Sequence, residues 1–208
     1  MTRKIGLGIM GYADMLIKLG IPYDSDEALS VAESVMSRIQ NESKIKSAEL
    51  AEKRGAFPAF EKSEYAARGE RPLRNATTTT IAPTGTISII ADSSSGIEPI
   101  FALAYVRNVM DNNRLIESNP AFEAAISNLG EVYSIQDIMD RVAEHGSARE
   151  VDYLPEDIRR TFATAHDISP EWHIKTQSIF QKYIDNAVSK TVNFAGSATT
   201  DDIKKVYD

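Results

Sequence analysis

Residues 76–91 read ATTTTIAPTGTISIIA and hold two apolar, β-branched stretches with a polar connection between them. The first stretch, residues 77–81, is too short for a helix and rich in residues that favour strands. The second stretch, residues 87–91, has the same character, so we predict two strands joined by a turn over residues 82–88. Together with helical periodicity elsewhere, this pair indicates an α/β fold whose strands suit barrel staves better than an open sheet.

Helical periodicity and capping signals predict most other elements. Ser25 can cap a helix whose apolar residues recur to about residue 54. The Ser169-Pro170-Glu171 sequence is a similar start, from which we predict a helix to about residue 187 and then a strand over residues 191–194. Further helices are predicted over residues 8–19, 61–67, 119–129, 134–146, 155–163 and from residue 199, with residues 101–109 as strand or helix.

Composition limits the classes of function. The 208 residues include 23 basic and 30 acidic side chains, with a net charge of −7. Because the basic residues are scattered, we expect neither nucleic acid nor a membrane surface as partner. No apolar run could cross a bilayer and no secretory signal is recognisable, which predicts a cytoplasmic protein. There is no cysteine, so this chain can supply no disulfide, thiolate metal site or thiyl radical.

The turn at residues 82–88 is the strongest candidate for a ligand site. Three hydroxyl side chains surround a glycine, and hydroxyls with free backbone amides suit an oxyanion. It is not a Walker loop, because no Gly-Lys-Ser/Thr sequence follows. A structural turn rich in threonine explains the same residues, and residue chemistry alone favours that interpretation.

Two other patterns have simpler explanations than ligand binding. Residues 6–11 fit the G-x-G-x-x-G pattern of dinucleotide-binding folds, but too few residues precede them for the strand that this motif requires. Glycines that allow close helix packing are the alternative interpretation. The histidines His145, His166 and His173 are not spaced as a ligand set, so we predict no metal site.

Several polar side chains are interpreted by their local setting. Glu98 is typical of a loop carboxylate satisfied by backbone amides. Gln177, Gln181 and Asp185 recur every four residues, which predicts one polar row on the helix that starts at Pro170. Lys190 follows that helix and could bind a helix carbonyl, an acid or a ligand.

Four stretches resemble the large subunit of ribonucleotide reductases, most closely the adenosylcobalamin-dependent class II enzymes. They are residues 3–14, 75–88, 94–99 and 181–193. The likeness extends over residues 3–107 and 166–207. Residues 108–165 are not diagnostic and are interpreted as a helical insertion within a single partial domain, residues 1–208.

The resemblance implies the C-terminal portion of a ten-stranded α/β barrel that reduces ribonucleotides through a thiyl radical, with adenosylcobalamin as cofactor and a ribonucleoside diphosphate as substrate. The family's cysteines lie upstream of the matched part. The resemblance therefore implies no catalytic residue here, an inactive isolated chain, and the cysteine-bearing upstream half as partner. The cofactor's contacts are expected to lie largely outside this chain.

The resemblance also gives roles to two parts of this chain. By this resemblance, the segment at residues 185–193 is a stave, that is, a strand of the barrel, with a buried polar anchor. The glycines of residues 6–11 belong to another barrel segment. The family's substrate-phosphate loop carries over onto Ala82, Pro83, Thr84, Gly85, Thr86, Ile87 and Ser88.

Three alternatives stay open. A class I large subunit, which depends on a di-iron partner, shares the barrel and a related loop. A non-catalytic nucleotide-binding or assembly module could descend from the same barrel. A nicotinamide-dependent dehydrogenase would require NADH to bind the isolated chain.

Overall fold

The computed structural model describes residues 1–109, 113–130, 132–194, 196 and 198–207, without the side chains of residues 105–109 and 113–117. Helices dominate this part of the chain, and one antiparallel hairpin joins β1 (Ala104–Val109) to β2 (Asn113–Ser118). No helix in these residues combines the length and apolar character needed to cross a membrane. The helices are α1 (Tyr12–Leu19), α2 (Asp26–Arg54), α3 (Glu64–Ala67), α4 (Gly85–Ile90), α5 (Pro120–Ser127), α6 (Ile135–His145), α7 (Glu156–Thr161), α8 (Pro170–Gln181) and α9 (Thr200–Tyr207), with a 3-10 turn at Phe60–Lys62.

Three extended segments form a short parallel array beside these helices. Leu7 bridges Thr79, and Ile81 bridges Val188, both in parallel orientation. Backbone hydrogen bonds of 2.8 to 3.2 Å connect the segments on both sides of the middle one. The strand predicted over residues 77–81 is therefore extended and paired along both edges, although each ladder is too short to form a regular strand.

The first and middle segments approach each other closely because Gly6 and Gly8 have no side chains. A Cβ atom at Gly8 would lie 2.2 Å from the carbonyl oxygen of Thr80, and one at Gly6 would lie 2.4 Å from the Thr80 Cγ2 atom. These glycines thus serve close packing between extended segments and not between helices. Helix α1 begins only at Tyr12, after the glycines, and not at residue 8 as predicted.

The main core lies where α1, α2 and α8 meet the extended segments. Helix α2 packs against α8. The buried rings of Tyr12 and Phe180 pack edge to face with centroids 5.2 Å apart, and burial of a side chain such as Phe180 contributes about 1.5–3 kcal/mol. The hydroxyl of Tyr12 donates to the carbonyl oxygen of Ala28 at 2.7 Å, so this buried phenol is satisfied.

Two predicted strands are wrong, and so is the predicted row of polar side chains on the helix that starts at Pro170. Residues 87–91 lie mainly in α4, and residues 191–194 have no regular secondary structure. Helix α8 ends at Gln181, so Asp185 does not continue a polar row on that helix. The error in α4 arises because β propensity describes a half-buried pleated surface, whereas here the preceding turn directs the chain into a helix.

The part interpreted as a helical insertion is of mixed structure. Residues 108–165 contain most of the β1–β2 hairpin as well as helices α5, α6 and α7. Helix α6 lies within its predicted bounds, with Ser134 as its cap and with Gly146 in a left-handed conformation at its end. Arg149, in residues 108–165, forms an ion pair at 2.7 Å with Asp24, which precedes α2. The division of the chain into domains stays a prediction.

Candidate functional site

The 82–88 loop leads directly into α4 and turns sharply at Thr84. Thr84 has φ 55° and ψ 19°, a left-handed conformation that β-branched residues rarely adopt. Helix α4 begins at the next residue, so the amides of Gly85, Thr86 and Ile87 lie in its first turn, where no helical carbonyl can accept them. All three residues are exposed. The loop therefore presents a row of backbone donors to its surroundings.

A second loop, residues 92–99, packs against the first. The Ser95 hydroxyl donates to the carbonyl oxygen of Pro83 at 2.5 Å and lies 3.3 Å from the Thr84 hydroxyl. Gly96 follows with φ 51°, and a Cβ atom there would lie 3.3 Å from a carbonyl oxygen of the first loop. The two loops are thus in direct contact around the strained residue.

The three hydroxyl side chains of the 82–88 loop differ in their surroundings. Thr84 contacts Ser95. Ser88 is buried, and its hydroxyl donates to the carbonyl oxygen of Gly85 at 3.1 Å. Thr86 is exposed, and its hydroxyl has no hydrogen-bond partner among the described residues. Thr86 is therefore the loop hydroxyl most accessible to a ligand.

A cleft of about 1170 Å³ opens beside the two loops. Its lining includes Asp14 and Lys18 from α1, Ser88 from α4, and residues 92–95 of the second loop. Ile89 and Phe101 also line the cleft, and they are 80% and 71% exposed. The cleft is therefore lined by both polar and large apolar side chains.

Lys190 lies in a buried polar cluster next to the cleft. Its side chain has 0% exposure, and its Nζ atom contacts Glu98 Oε2 at 2.5 Å, the Thr191 carbonyl oxygen at 2.5 Å and His173 Nδ1 at 2.7 Å. Glu98 lines the cleft, and its other carboxylate oxygen accepts the Thr191 amide at 2.7 Å. Burial lowers the pKa of Lys190, and the Glu98 carboxylate opposes that shift.

His173 completes this cluster as a neutral side chain. Its Nε2 atom lies 3.3 Å from the Ala165 carbonyl oxygen and donates to it, so Nδ1 accepts from Lys190. Burial and, second, the positive charge of Lys190 lower the pKa of His173 to about 4. Both ring nitrogens are therefore engaged. Among the described residues, no group of three or more metal-ligating side chains converges.

Asp185 forms a polar anchor between α2 and the middle extended segment. Its carboxylate accepts the Gln40 amide at 2.8 Å, Lys44 Nζ at 2.7 Å and the Thr78 backbone amide at 2.6 Å. Burial alone would raise the pKa of Asp185, but the bonds from Lys44, Thr78 and Gln40 outweigh it and lower the pKa. This is the anchor in the 185–193 segment that the resemblance implied.

The structure brings together residues that were interpreted separately in the sequence. Glu98 accepts a backbone amide as predicted, and it also pairs with Lys190, which binds both an acid and a carbonyl oxygen. Sequence reasoning missed Ser95 as a partner of the 82–88 loop. It also missed His173 as a partner of Lys190, because an isolated histidine on a helix gives no sign of a contact beyond that helix.

The chain is similar to ribonucleotide reductases in three comparisons. It matches the family model of the ribonucleotide reductase barrel domain over residues 1–72 and 67–208. It is 55% and 46% identical to vitamin B12-dependent ribonucleoside-diphosphate reductases of Thermoplasma acidophilum and Mycobacterium tuberculosis, over 100% and 99% of this chain but only 26% and 29% of those proteins. The class Id ribonucleotide reductase alpha subunit of Actinobacillus ureae aligns with a TM-score of 0.81 and 25% identity, over 99% of this chain and 36% of that one.

Proposed function

Because this chain belongs to the ribonucleotide reductase barrel-domain family, we propose that it acts as part of the catalytic subunit of a vitamin B12-dependent ribonucleoside-diphosphate reductase. The identity of 46% to 55% to relatives that carry this name supports the B12-dependent class. The chain spans little more than a quarter of those relatives. Since it has no cysteine, the thiyl radical and the reducing thiols belong to the rest of the reductase.

The 82–88 loop is proposed to bind the diphosphate of the substrate. The observation that carries this proposal is the exposed first turn of α4, with the amides of Gly85, Thr86 and Ile87 and the hydroxyl of Thr86. A diphosphate is an acceptor without donors, so these groups match it. The loop contains no lysine or arginine, and binding would rest on directed hydrogen bonds. Such bonds would fix the ribose relative to the radical, which governs the rate.

The cofactor is assigned mainly to the remainder of the reductase. Adenosylcobalamin would supply the radical that starts the reaction. The described residues hold no converging set of metal-ligating side chains, and a cobalamin site needs none, because the corrin ring of the cofactor carries its own cobalt. The cytoplasmic location predicted from the sequence remains part of this proposal.

Reconstitution tests the proposed activity. We expect deoxyribonucleotides to form from ribonucleoside diphosphates, adenosylcobalamin and a dithiol when this chain is co-expressed with a cysteine-bearing upstream part, and not with this chain alone. Product formation is measured by chromatography. Activity that requires a di-iron partner subunit in place of cobalamin would favour the class I alternative. Nucleotide binding without turnover in both assays would leave a binding or assembly module.

Replacing both Thr84 and Thr86 with alanine is expected to weaken substrate binding in the reconstituted reductase. The loss of two hydroxyls from the loop should cost about 1–3 kcal/mol, or roughly a 5- to 150-fold higher Kd for a ribonucleoside diphosphate. Isothermal titration calorimetry measures this change. The double variant Ser30→Ala and Ser37→Ala, which removes two hydroxyls from α2, is the control. Equal affinity in both double variants would remove the phosphate assignment.

A further inference from the structure

A residue outside the 82–88 loop contacts it at its left-handed turn. Thr84 is left-handed although its side chain is β-branched, and this side chain makes no capping hydrogen bond to α4. A non-glycine residue keeps such a conformation only when its surroundings hold it there. The Ser88 amide donates to the Thr84 carbonyl oxygen at 2.9 Å within the loop. The Thr84 hydroxyl and the preceding carbonyl oxygen of Pro83 are both contacted by Ser95 of the 92–99 loop.

The protons of two hydroxyls show how that contact is made. A serine hydroxyl has one proton, and Ser95 uses it to donate to the Pro83 carbonyl oxygen at 2.5 Å. In the 3.3 Å contact between Ser95 and Thr84, Thr84 is therefore the donor. The Ser95 hydroxyl thus contacts the Pro83 carbonyl oxygen before the left-handed residue and the side-chain hydroxyl of that residue, Thr84. Gly96 permits this approach, because a Cβ atom there would lie 3.3 Å from the Ala82 carbonyl oxygen.

Ser95 is itself held by the buried cluster. Its carbonyl oxygen accepts the Glu98 amide at 2.9 Å, and the Glu98 carboxylate is paired with Lys190, whose side chain is fully buried. A continuous set of contacts therefore runs from Lys190 to Thr84. Because Glu98 is fixed at its carboxylate and at its amide, the turn that carries Ser95 has little freedom to move away from the loop.

We infer that Ser95 is a positioning residue for phosphate binding: its hydroxyl fixes the left-handed turn at Thr84, which in turn presents the amides of Gly85, Thr86 and Ile87 to the ligand. This inference rests on the proposed function of the 82–88 loop. Ser95 needs no contact with the substrate in this role. Its removal should weaken binding of the phosphate groups and leave recognition of the nucleoside unchanged.

The test compares two ligands in the reconstituted reductase, a ribonucleoside diphosphate and the same nucleoside without phosphates. For Ser95→Ala we expect a roughly 3- to 10-fold higher Kd for the diphosphate, the equivalent of one hydrogen bond, and an unchanged Kd for the nucleoside. Ser95→Thr keeps a hydroxyl and should retain most of the affinity. Ser30→Ala, which removes an exposed hydroxyl on α2, is the control and should bind both ligands like the wild type.

The outcomes separate this inference from the function on which it rests. An equal loss of affinity for both ligands in Ser95→Ala would mean a general structural role and would overturn the inference. Unchanged diphosphate affinity in Ser95→Ala, with weakened binding in the variant that lacks the Thr84 and Thr86 hydroxyls, would overturn the role of Ser95 alone. If neither variant alters diphosphate affinity, the phosphate loop itself is wrong.

Discussion

Replacing Lys190 with methionine is expected to lower the free energy of local unfolding around the cleft by about 3 kcal/mol. Methionine is apolar and of similar length, so the effect comes from the lost charge and its donors. Among the described residues, the Glu98 carboxylate would keep only the Thr191 amide as partner, and His173 Nδ1 would lose the donor that it has from Lys190. Glu98 is 23% exposed, which places the expected loss at the lower end for a broken buried pair.

Hydrogen exchange measured by mass spectrometry on the reconstituted reductase checks this expectation. Peptides that contain residues 95–99 and 188–191 should exchange about 100-fold faster in Lys190→Met. Adding Glu98→Gln should restore part of the protection, because the second change removes the unpaired charge. Lys204→Met, which breaks an exposed pair in α9, should exchange like the wild type. Wild-type protection in Lys190→Met would show that the buried pair contributes nothing to local stability.

Some helix ends could be predicted from the sequence because their capping signals are local. Ser25 and Ser134 accept hydrogen bonds from amides three residues later, so each cap is contained within one short stretch of sequence. Gly20 and Gly146 end their helices with positive φ for an equally local reason. The family match confirms the α/β barrel that the resemblance implied. In the described residues, the parallel pairing between extended segments consists of isolated bridges.

The character of residues 87–91 could not be predicted, because it depends on contacts outside them. Their β-branched side chains suit a strand, yet the left-handed turn at Thr84 starts a helix. That turn is supported by Ser95, eleven residues later. Local propensity contains no information on such a contact, so the sequence pattern identified the loop correctly and gave the following element the wrong type.

The polar clusters beside the loop were beyond sequence reasoning for a similar reason. Glu98 and Lys190 are 92 residues apart and meet only because parallel pairing brings Val188 beside Ile81. A lysine side chain is usually exposed unless it is paired, and the sequence pattern does not show whether a given lysine has a partner. An acid was therefore one of several partners predicted for Lys190, and in the structure that acid is Glu98.

Replacing Asp185 with alanine is expected to have the largest effect on stability, a loss of about 3–5 kcal/mol. Asp185 is 11% exposed and its partner Lys44 22% exposed, so the charge left on Lys44 would be poorly solvated. The Thr78 amide and the Gln40 amide would lose their acceptor as well. Since these groups lie on α2 and on the middle extended segment, their separation should loosen the parallel array.

Exchange in peptides that contain residues 36–48 and 76–81 measures this loss, with an expected acceleration of roughly 150- to 4000-fold in the reconstituted reductase. Asp185→Asn keeps an acceptor but lacks the charge, and we expect an intermediate value because the amide still accepts from Thr78. Glu49→Ala, which breaks an exposed pair on α2, is the control and should match the wild type. Wild-type exchange in both Asp185 variants would mean that backbone pairing and the apolar core alone hold α2 against the extended segments, and that the charged anchor is dispensable.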